Sequence, residues 1–351
     1  MWQSCYIRMY RLGMSNLRVR WTFVALGFAL VVGAALELSL GPVTIPVRQL
    51  IPDAWGYFQG VHDTNAIVIG AIRLPRLFVA ALVGAGLATT GAALQAVFRN
   101  PMADPSIIGV SSGASLGAVL TIQLGLSQLN EWYTPIGAFV SGLIVVFVIY
   151  RIATVRGKTS IYSLLLSGVA FSALCSSVVT LVLSLAPLET MQQMLFWLMG
   201  GLDGSTWREV LMLLVFVVIA IGIYLTQAHA LDVLSLGEEQ AQGVGVSLQL
   251  TKQVVLVTSA FVVGACVSST GVIGFVGLVV PHLLRIWIGP ANRRLIISSA
   301  VGGAVLMLFA DLIARMILLP TELNVGIITS LLGAPFFLFL LRRQESRVYR
   351  G

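Results

Sequence analysis

Hydrophobic residues in this chain come in long continuous runs, and short polar segments separate one run from the next. Residues 210–225 read VLMLLVFVVIAIGIYL, with no alternation of apolar and polar positions. A strand of a membrane barrel alternates over about 10 residues, whereas about 20 continuous apolar residues form a helix that crosses a hydrocarbon core of about 30 Å. The pattern therefore predicts membrane-spanning helices.

Ten runs of this kind predict ten membrane-spanning helices. Their ranges are 21–40, 74–97, 107–126, 135–153, 161–185, 209–227, 253–270, 274–288, 295–319 and 325–341. We therefore expect an all-α membrane protein with a single ten-helix transmembrane domain over residues 21–343, flanked by cytoplasmic segments 1–20 and 344–351. The first run has no small-residue cleavage site after it, which favours a retained helix over a signal peptide.

Composition agrees with this class of protein. Of the 351 residues, 58% are hydrophobic and 10% are charged, against roughly 25% charged residues in a soluble domain. The net charge of +7 also fits a nucleic-acid-binding protein. However, the basic residues stand in short clusters between apolar runs with few aromatic residues among them, which is typical of membrane topology. We therefore expect no nucleic-acid partner.

Glycine is abundant, with 35 residues, and it recurs at helix-face spacing, as at Gly84 and Gly91 with Ala88 between them. Small residues let helix backbones approach closely where lipid provides no hydrophobic drive for association. The pattern predicts a densely packed bundle.

The positions of Lys and Arg predict which side each connection faces. With the amino terminus in the cytoplasm, sixteen of the 21 basic residues lie on the inner side, as the positive-inside rule requires. The remaining five are Arg48, Arg73, Arg76 and Arg208 on the outer side and Arg315 within the ninth span. The two outer arginines of the motif RLPR indicate either a local function or side chains that reach the lipid headgroups.

No catalytic or metal-binding motif is complete in this chain. The sequence RGKTS at residues 156–160 resembles the end of a phosphate-binding loop but lacks the glycine-rich part that holds the phosphates. The three histidines and the three cysteines are isolated from one another, so neither a metal site nor a disulfide framework is predicted. We therefore expect a protein that is not an enzyme and that itself binds no cofactor or metal.

Asp311 and Arg315 form a charged pair within the predicted spans, four residues apart on one helix face. A proton-driven transporter typically carries several carboxylates in mid-membrane, whereas Glu37 lies near the end of its span. The pattern favours an energy source outside this chain. An ion-coupled secondary transporter remains the competing class.

The outer segment 186–207 predicts a short helix with Met191, Met194, Leu195 and Leu198 on one face. This face fits either a gate over a bulky apolar ligand or packing near the headgroups.

The longest polar stretch on the inner side, residues 228–252, predicts two short helices, one before Gly237 and one from Glu238 to about Gln242. Such helices fit either docking onto a cytoplasmic partner or an ordinary interfacial loop.

Seven blocks in the same order resemble the permease subunits of the binding-protein-dependent ABC importers for iron chelates, haem and vitamin B12. The blocks are RLPR (73–76), NPMADPSIIGVSSGA (100–114), FWLMGGLDG (196–204), LSLGEEQAQGVGV (234–246), GFVGLVVPHLLR (274–285), ADLIAR (310–315) and GAPFFLFLLRR (333–343). The resemblance extends over about residues 36–343. It implies a type II ABC importer permease fold of ten helices, with both termini on the cytoplasmic side of a bacterial inner membrane.

The resemblance also implies the partners of this chain. They are a second copy of the chain, in a homodimer whose interface forms the translocation path, two ATPase subunits that hold ATP and Mg²⁺ on the inner side, and a periplasmic substrate-binding protein. Acidic residues of the binding protein would meet Arg73, Arg76 and Arg315, which we expect to form a small cationic rim exposed to the periplasm. Charge complementarity of this kind mainly speeds the encounter and sets its orientation.

Further roles are implied in the same way. The residues that match the coupling helices for the ATPase are Asp232, Leu236, Gly237, Glu238, Gln240, Gly243 and Gly245. The residues that match the path and its gate are Ser167, Ser172, Ser176, Met191, Met194, Phe196 and Trp197. The small residues of this set suit helix packing as well. As cargo we expect an iron chelate, either a ferric siderophore or haem, with vitamin B12 as the alternative.

Overall fold

The computed structural model describes residues 16–61, 63–237, 243 and 247–348, and these are helical apart from connecting segments and one short hairpin. In chain order the helices are α1 (Asn16–Ser39), α2 (Val47–Phe58), α3 (Thr64–Ile67), α4 (Leu74–Val97), α5 (Val110–Gln123), α6 (Leu126–Leu129), α7 (Tyr133–Ala153), α8 (Ile161–Leu185), α9 (Leu188–Leu198), α10 (Trp207–Leu236), α11 (Leu248–Thr270), α12 (Val276–Ile288), α13 (Asn292–Met316) and α14 (Val325–Val348). A π-helical segment (Val68–Arg73) joins α3 to α4, a 3-10 turn (Pro105–Ile108) precedes α5, and strands β1 (Thr154–Val155) and β2 (Lys158–Thr159) form the hairpin.

Each of the ten predicted spans overlaps one helix of the described residues. Within the described part of the chain, seven helical stretches are long and apolar enough to cross a membrane, namely α1, α3 continued into α4, α7, α8, α10, α11 and α13. The apolar parts of α12 and α14 are shorter, and the 14 residues of α5 are about 21 Å long. The chain is therefore a multi-pass membrane protein, while ten crossings and the side on which the termini lie stay predictions.

Helix α4 lies at the centre of the bundle. Nineteen of its 24 residues are buried, and it packs against α10, α11, α12 and α13. A side chain in place of Gly84 would collide with the carbonyl oxygen of Gly303 on α13, and one in place of Gly91 with that of Gly277 on α12. The dense packing predicted from the glycines is thus confirmed at two interfaces of α4, where the backbones touch.

Helix α10 differs from the prediction at its inner end. The sixth span is predicted to end near residue 227, but α10 continues without a break to Leu236. Its 30 residues are about 45 Å long, so it extends beyond a hydrocarbon core of about 30 Å. The separate short helix expected before Gly237 is therefore wrong, because Leu231 and Leu234 continue the buried face of α10.

Gly237 does end this helix, with a φ of 137° that disfavours any other residue. The second short helix, expected from Glu238 to about Gln242, lies outside the described residues.

Candidate functional site

A network of buried charged side chains lies where α1, α4 and α13 meet. At its centre Arg76 of α4 donates two hydrogen bonds to Asp311 of α13, from Nε to Oδ2 at 2.8 Å and from Nη2 to Oδ1 at 2.9 Å. The side chain of Asp311 is completely buried. A two-pronged contact between a guanidinium and a carboxylate is the strongest form of ionic hydrogen bond, so it ties these two helices together.

The third nitrogen of Arg76 reaches two connecting segments. Its Nη1 donates to Oδ1 of Asp203, between α9 and α10, at 2.8 Å, and to Oε2 of Glu322, between α13 and α14, at 2.7 Å. These two side chains are 64% and 26% exposed, whereas that of Arg76 is only 10% exposed. Partial burial raises the pKa of Asp203, against the opposing effect of Arg76. The network thus has a dry centre and an edge that reaches the surface.

Arg315 completes the buried side of the network. Its Nη2 lies 2.5 Å from Oε1 of Glu37 on α1, and its Nε lies 3.5 Å from Oδ2 of Asp311. The i,i+4 pair of Asp311 and Arg315 expected from the sequence is therefore present, but each residue has a closer partner from another helix. Arg73 donates from its guanidinium to the backbone carbonyls of Leu38 and Val43, which anchors the end of α1 and the segment after it.

The expectation of a cationic rim exposed to the periplasm is wrong as regards exposure. Arg73, Arg76 and Arg315 are only 4%, 8% and 3% exposed. An unpaired charge in a low-dielectric region is expensive. Arg73 is held by backbone carbonyls, whereas the fold surrounds Arg76 and Arg315 with four carboxylates. These are Glu37, Asp203, Asp311 and Glu322. Docking of a binding protein onto these arginines stays a prediction.

The sequence reasoning missed three of the four carboxylates as partners. Glu37 ends the first predicted span, Asp203 precedes the sixth, and Glu322 lies between the ninth and the tenth. The predicted topology places all three on the outer side with Arg73 and Arg76. Matching charges by side would therefore have indicated the network, although not its pairing.

The predicted gate segment is present as α9, and its buried face differs slightly from the expected one. Met194 is fully buried against Val119, Ile122 and Val179 of α5 and α8. Leu195 is 36% exposed, so Trp197 takes its place in the packed cluster. Met191 is half-buried and Phe196 is 64% exposed. Packing of Met194 is thus observed, while a gating role for α9 stays a prediction.

The three serines predicted to line the path do not share one face of α8. At 100° per residue, Ser167 and Ser172 point about 140° apart. The hydroxyl of Ser172 lies 3.0 Å from that of Ser112 on α5, and that of Ser167 donates to the carbonyl of Ser163. Ser176 is exposed. Ser172 therefore takes part in helix packing, and a role of the three serines in the path stays a prediction.

The predicted coupling region contains a connection that sequence reasoning missed. Oδ1 of Asp232 on α10 accepts hydrogen bonds from the backbone N and from Nδ2 of Asn292, both at 2.8 Å. Asn292 is the first residue of α13, so Asp232 caps that helix from its neighbour. Leu236 is 38% exposed at the end of α10. Of the other predicted residues, Gly243 has helical backbone, whereas Glu238, Gln240 and Gly245 lie outside the described residues.

Comparison with known families and proteins gives consistent matches. The FecCD transport family matches residues 29–343. The cobalamin import system permease protein BtuC of Halobacterium salinarum is 46% identical over 288 residues, 82% of this chain and 77% of that protein. The hemin transport system permease protein HmuU of Yersinia pestis is 37% identical over 92% of this chain and 96% of its own. The vitamin B12 import system permease protein BtuC of Yersinia enterocolitica is 37% identical over 82% and 85%.

Two solved structures are also similar. One shows an inward-facing conformation of a transporter assigned to the metal-chelate ABC type. It is 32% identical, has a TM-score of 0.82 and matches 92% of this chain and 99% of its own. The other, PsaBC of Streptococcus pneumoniae in complex with Fab, is 19% identical with a TM-score of 0.51 over 84% and 95% of the two chains, and shows a similar fold alone.

Proposed function

Because this chain belongs to the FecCD transport family and is a permease of an ABC importer, we propose that it carries cobalamin into the cell, with haem as the second candidate. Both are bulky metal chelates built on a tetrapyrrole ring. The observation that carries the proposal is the 46% identity to a cobalamin permease, against 37% to a haemin permease. The three relatives reported above are permeases for cobalamin, haemin and vitamin B12, so we place the siderophore expected from the sequence third.

We further propose that the chain works as a homodimer in a bacterial inner membrane, with two ATPase subunits inside and a periplasmic binding protein outside. ATP and Mg²⁺ would be held by the ATPase. The contact between Asp232 and Asn292 joins the inner ends of α10 and α13. A push on the inner loop would therefore reach α13, whose other end carries Asp311 and Arg315. Its 25 residues span about 37 Å, which is enough to link both faces of the membrane.

Uptake in reconstituted vesicles tests this function. We expect cyanocobalamin to accumulate when the permease, its ATPase and its binding protein are all present with ATP, and uptake to stop with a hydrolysis-deficient ATPase. Haem is measured in parallel, and faster uptake of haem would exchange the order of the two cargoes. Uptake by this chain alone, driven by an imposed proton or sodium gradient, would instead establish the secondary transporter.

We propose that the binding protein docks by exchanging ionic partners at the exposed edge of the network. Nη1 of Arg76 is held by Asp203 and Glu322, and acidic groups of the binding protein would compete with these two. Such competition is expected because Asp203 and Glu322 are partially exposed. An ion pair of a partially exposed group contributes only about 0–1 kcal/mol, so an incoming carboxylate can replace it.

Because docking would exchange the acidic partners of Arg76, the test removes those partners and keeps the arginine. Replacing Arg76 by Glu would put a like charge beside the buried Asp311 and disturb the fold, whereas D203N and E322Q free the guanidinium for an incoming carboxylate. We expect each variant to bind the binding protein more tightly at low ionic strength, with the gain lost in high salt. The matched control is E131Q, because Glu131 pairs with exposed Arg208 away from the network. Unchanged or weaker docking of both variants would refute partner exchange.

A further inference from the structure

An apolar crevice opens on the side of the bundle between α7 and α11. It has a volume of about 250 Å³ and is lined mainly by Leu143, Val146, Phe147, Leu256, Val257 and Phe261. Phe147 and Val257 are 63% and 52% exposed, so the crevice opens outward from the subunit and not into its core. From Leu143 to Tyr150 it extends along about 10 Å of α7, a third of a hydrocarbon core of about 30 Å.

Polar groups gather at one end of this crevice, where α7 ends and α11 begins. The hydroxyl of Tyr150, a lining residue, accepts a hydrogen bond from Nε2 of Gln253 at 2.7 Å. Beside it, Nε2 of Gln249 donates to Oγ1 of Thr159 at 2.6 Å. The crevice is apolar along its length and polar at this end. A lipid molecule has the same arrangement, with an apolar acyl chain and a polar headgroup.

Three basic residues belong to the segments at the same end, Arg151 to the last turn of α7 and Arg156 and Lys158 to the β1–β2 hairpin. Arg151, Arg156 and Lys158 are all exposed, and none of them forms an ion pair within the described part of the chain. The guanidinium of Arg151 lies 6.0 Å from the ring centre of Phe147, within the range of a cation–π contact. Because Phe147 lines the crevice, this contact places a positive charge at its wall.

The hairpin that carries the other two charges has an unusual turn residue. β1 and β2 pair antiparallel around Arg156 and Gly157, whose φ angles are 50° and 76°. Both values belong to the left-handed region that a type I′ turn requires, and Asn, Asp or Gly are the usual residues at its first position. An arginine there strains the backbone, because its Cβ crowds the following carbonyl oxygen, so backbone preference does not account for it.

We propose that the crevice and its basic end bind one anionic phospholipid of the inner leaflet. Part of an acyl chain would fill the crevice, and the phosphate would lie among Arg151, Arg156 and Lys158. The charges match, since the cytoplasmic leaflet is the anionic one and attracts basic segments next to membrane helices. The inference depends on the proposed orientation of the chain and is independent of its cargo.

Native mass spectrometry of the purified permease tests the site, with phosphatidylglycerol and phosphatidylcholine as the added lipids. We expect one phosphatidylglycerol per chain to survive detergent exchange, in preference to phosphatidylcholine. Each basic residue near an anionic membrane contributes about a fivefold gain in affinity. The triple variant R151Q/R156Q/K158Q should therefore bind phosphatidylglycerol about 100-fold more weakly and lose the preference.

Two further variants distinguish the contribution of the lipid headgroup to binding from that of the acyl chain. R293Q/R294Q/R342Q removes the same charge from exposed residues elsewhere on the predicted inner side, and should keep the bound lipid. V257W fills the crevice from its open side, and should reduce binding of both lipids while leaving the melting temperature within about 2 °C.

Equal losses in the two triple variants would show a diffuse charge effect and overturn the site. Unchanged lipid binding in V257W would show that the acyl chain does not occupy the crevice, and would also overturn the site. Weaker ATPase binding by R151Q/R156Q/K158Q with unchanged lipid binding would assign the hairpin to a protein interface instead. Lipid binding is measured without ATPase or cargo, so a failed uptake experiment leaves this result unaffected.

Discussion

The contact between Arg76 and Asp311 gives the sharpest test of how this fold is held together. Replacement of Arg76 by Gln removes four hydrogen bonds, two of 2.8 and 2.9 Å to Asp311 and one each to the more exposed Asp203 and Glu322. It leaves the completely buried carboxylate of Asp311 without its main partner. Removing one member of a buried ion pair typically costs 3–5 kcal/mol. Nε of Arg315 remains 3.5 Å from Asp311, so we expect a loss of about 3 kcal/mol, at the low end of that range.

The assay is thermal unfolding of the purified protein in detergent. With about 2 °C per kcal/mol for a large domain, R76Q should lower the midpoint by roughly 6 °C. The matched control is R208Q, because Arg208 is a predicted outer arginine whose ion pair with Glu131, at 3.7 Å, is about 75% exposed. Exposed pairs contribute about 0–1 kcal/mol, so this variant should shift the midpoint by roughly 2 °C or less.

The double variant R76Q/D311N tests the physical reason. It removes both charges and leaves two amides that can hydrogen-bond, so it should be more stable than R76Q despite carrying one more substitution. Equal midpoints for R76Q and R208Q would refute the argument, since burial would then make no difference to the pair. A double variant less stable than R76Q would show that packing and not charge determines the loss.

Three other predictions concern packing and coupling. G91V should abolish folding or dimer assembly, because the valine side chain would meet the carbonyl of Gly277. The control variant G222V has open space around the substituted position and should express normally; size-exclusion profiles compare the two variants. M194A should destabilise the protein by about 2–5 kcal/mol through the cavity left at a fully buried position, and F196A, at a 64% exposed position, by much less in the same thermal assay. D232A should cost about 1 kcal/mol of stability, because α13 loses its helix cap, and should reduce the amount of cargo taken up per ATP hydrolysed. An unchanged ratio of uptake to ATP hydrolysis would exclude the contact between Asp232 and Asn292 from the coupling path.

The sequence was a good guide to the helices and a poor guide to the segments between them. Every predicted span overlaps a helix because continuous apolar length is a property that each segment carries by itself. The amphipathic helix α2 was not predicted, since its 12 residues bury Leu50 while Trp55 and Phe58 remain exposed. The inner end of α10 was misplaced for a related reason. Polar residues after position 227 resemble a loop, but packing of Leu231 and Leu234 continues the helix.

For the site, the sequence identified the three arginines and the topology that gathers them at one end. Their exposure was predicted wrongly, because the cost of burying a cation depends on which carboxylates surround it. That information lies in contacts such as the one from Arg76 to Asp203, separated by 127 positions in the chain. Likewise, serine spacing along α8 did not reveal that Ser172 faces Ser112.

By itself, the sequence determined a bundle of long apolar helices, the clustering of basic residues toward one predicted side, and the family of importers it belongs to. These depend on local runs of residues and on short motifs, which are readable one segment at a time. Only the tertiary structure decided that α4 is central, that Asp311 meets Arg76 across 235 positions, and that an apolar crevice opens beside a basic hairpin. The physical reason is that burial, ion pairing and cavity shape are properties of surfaces that come together from distant parts of the chain.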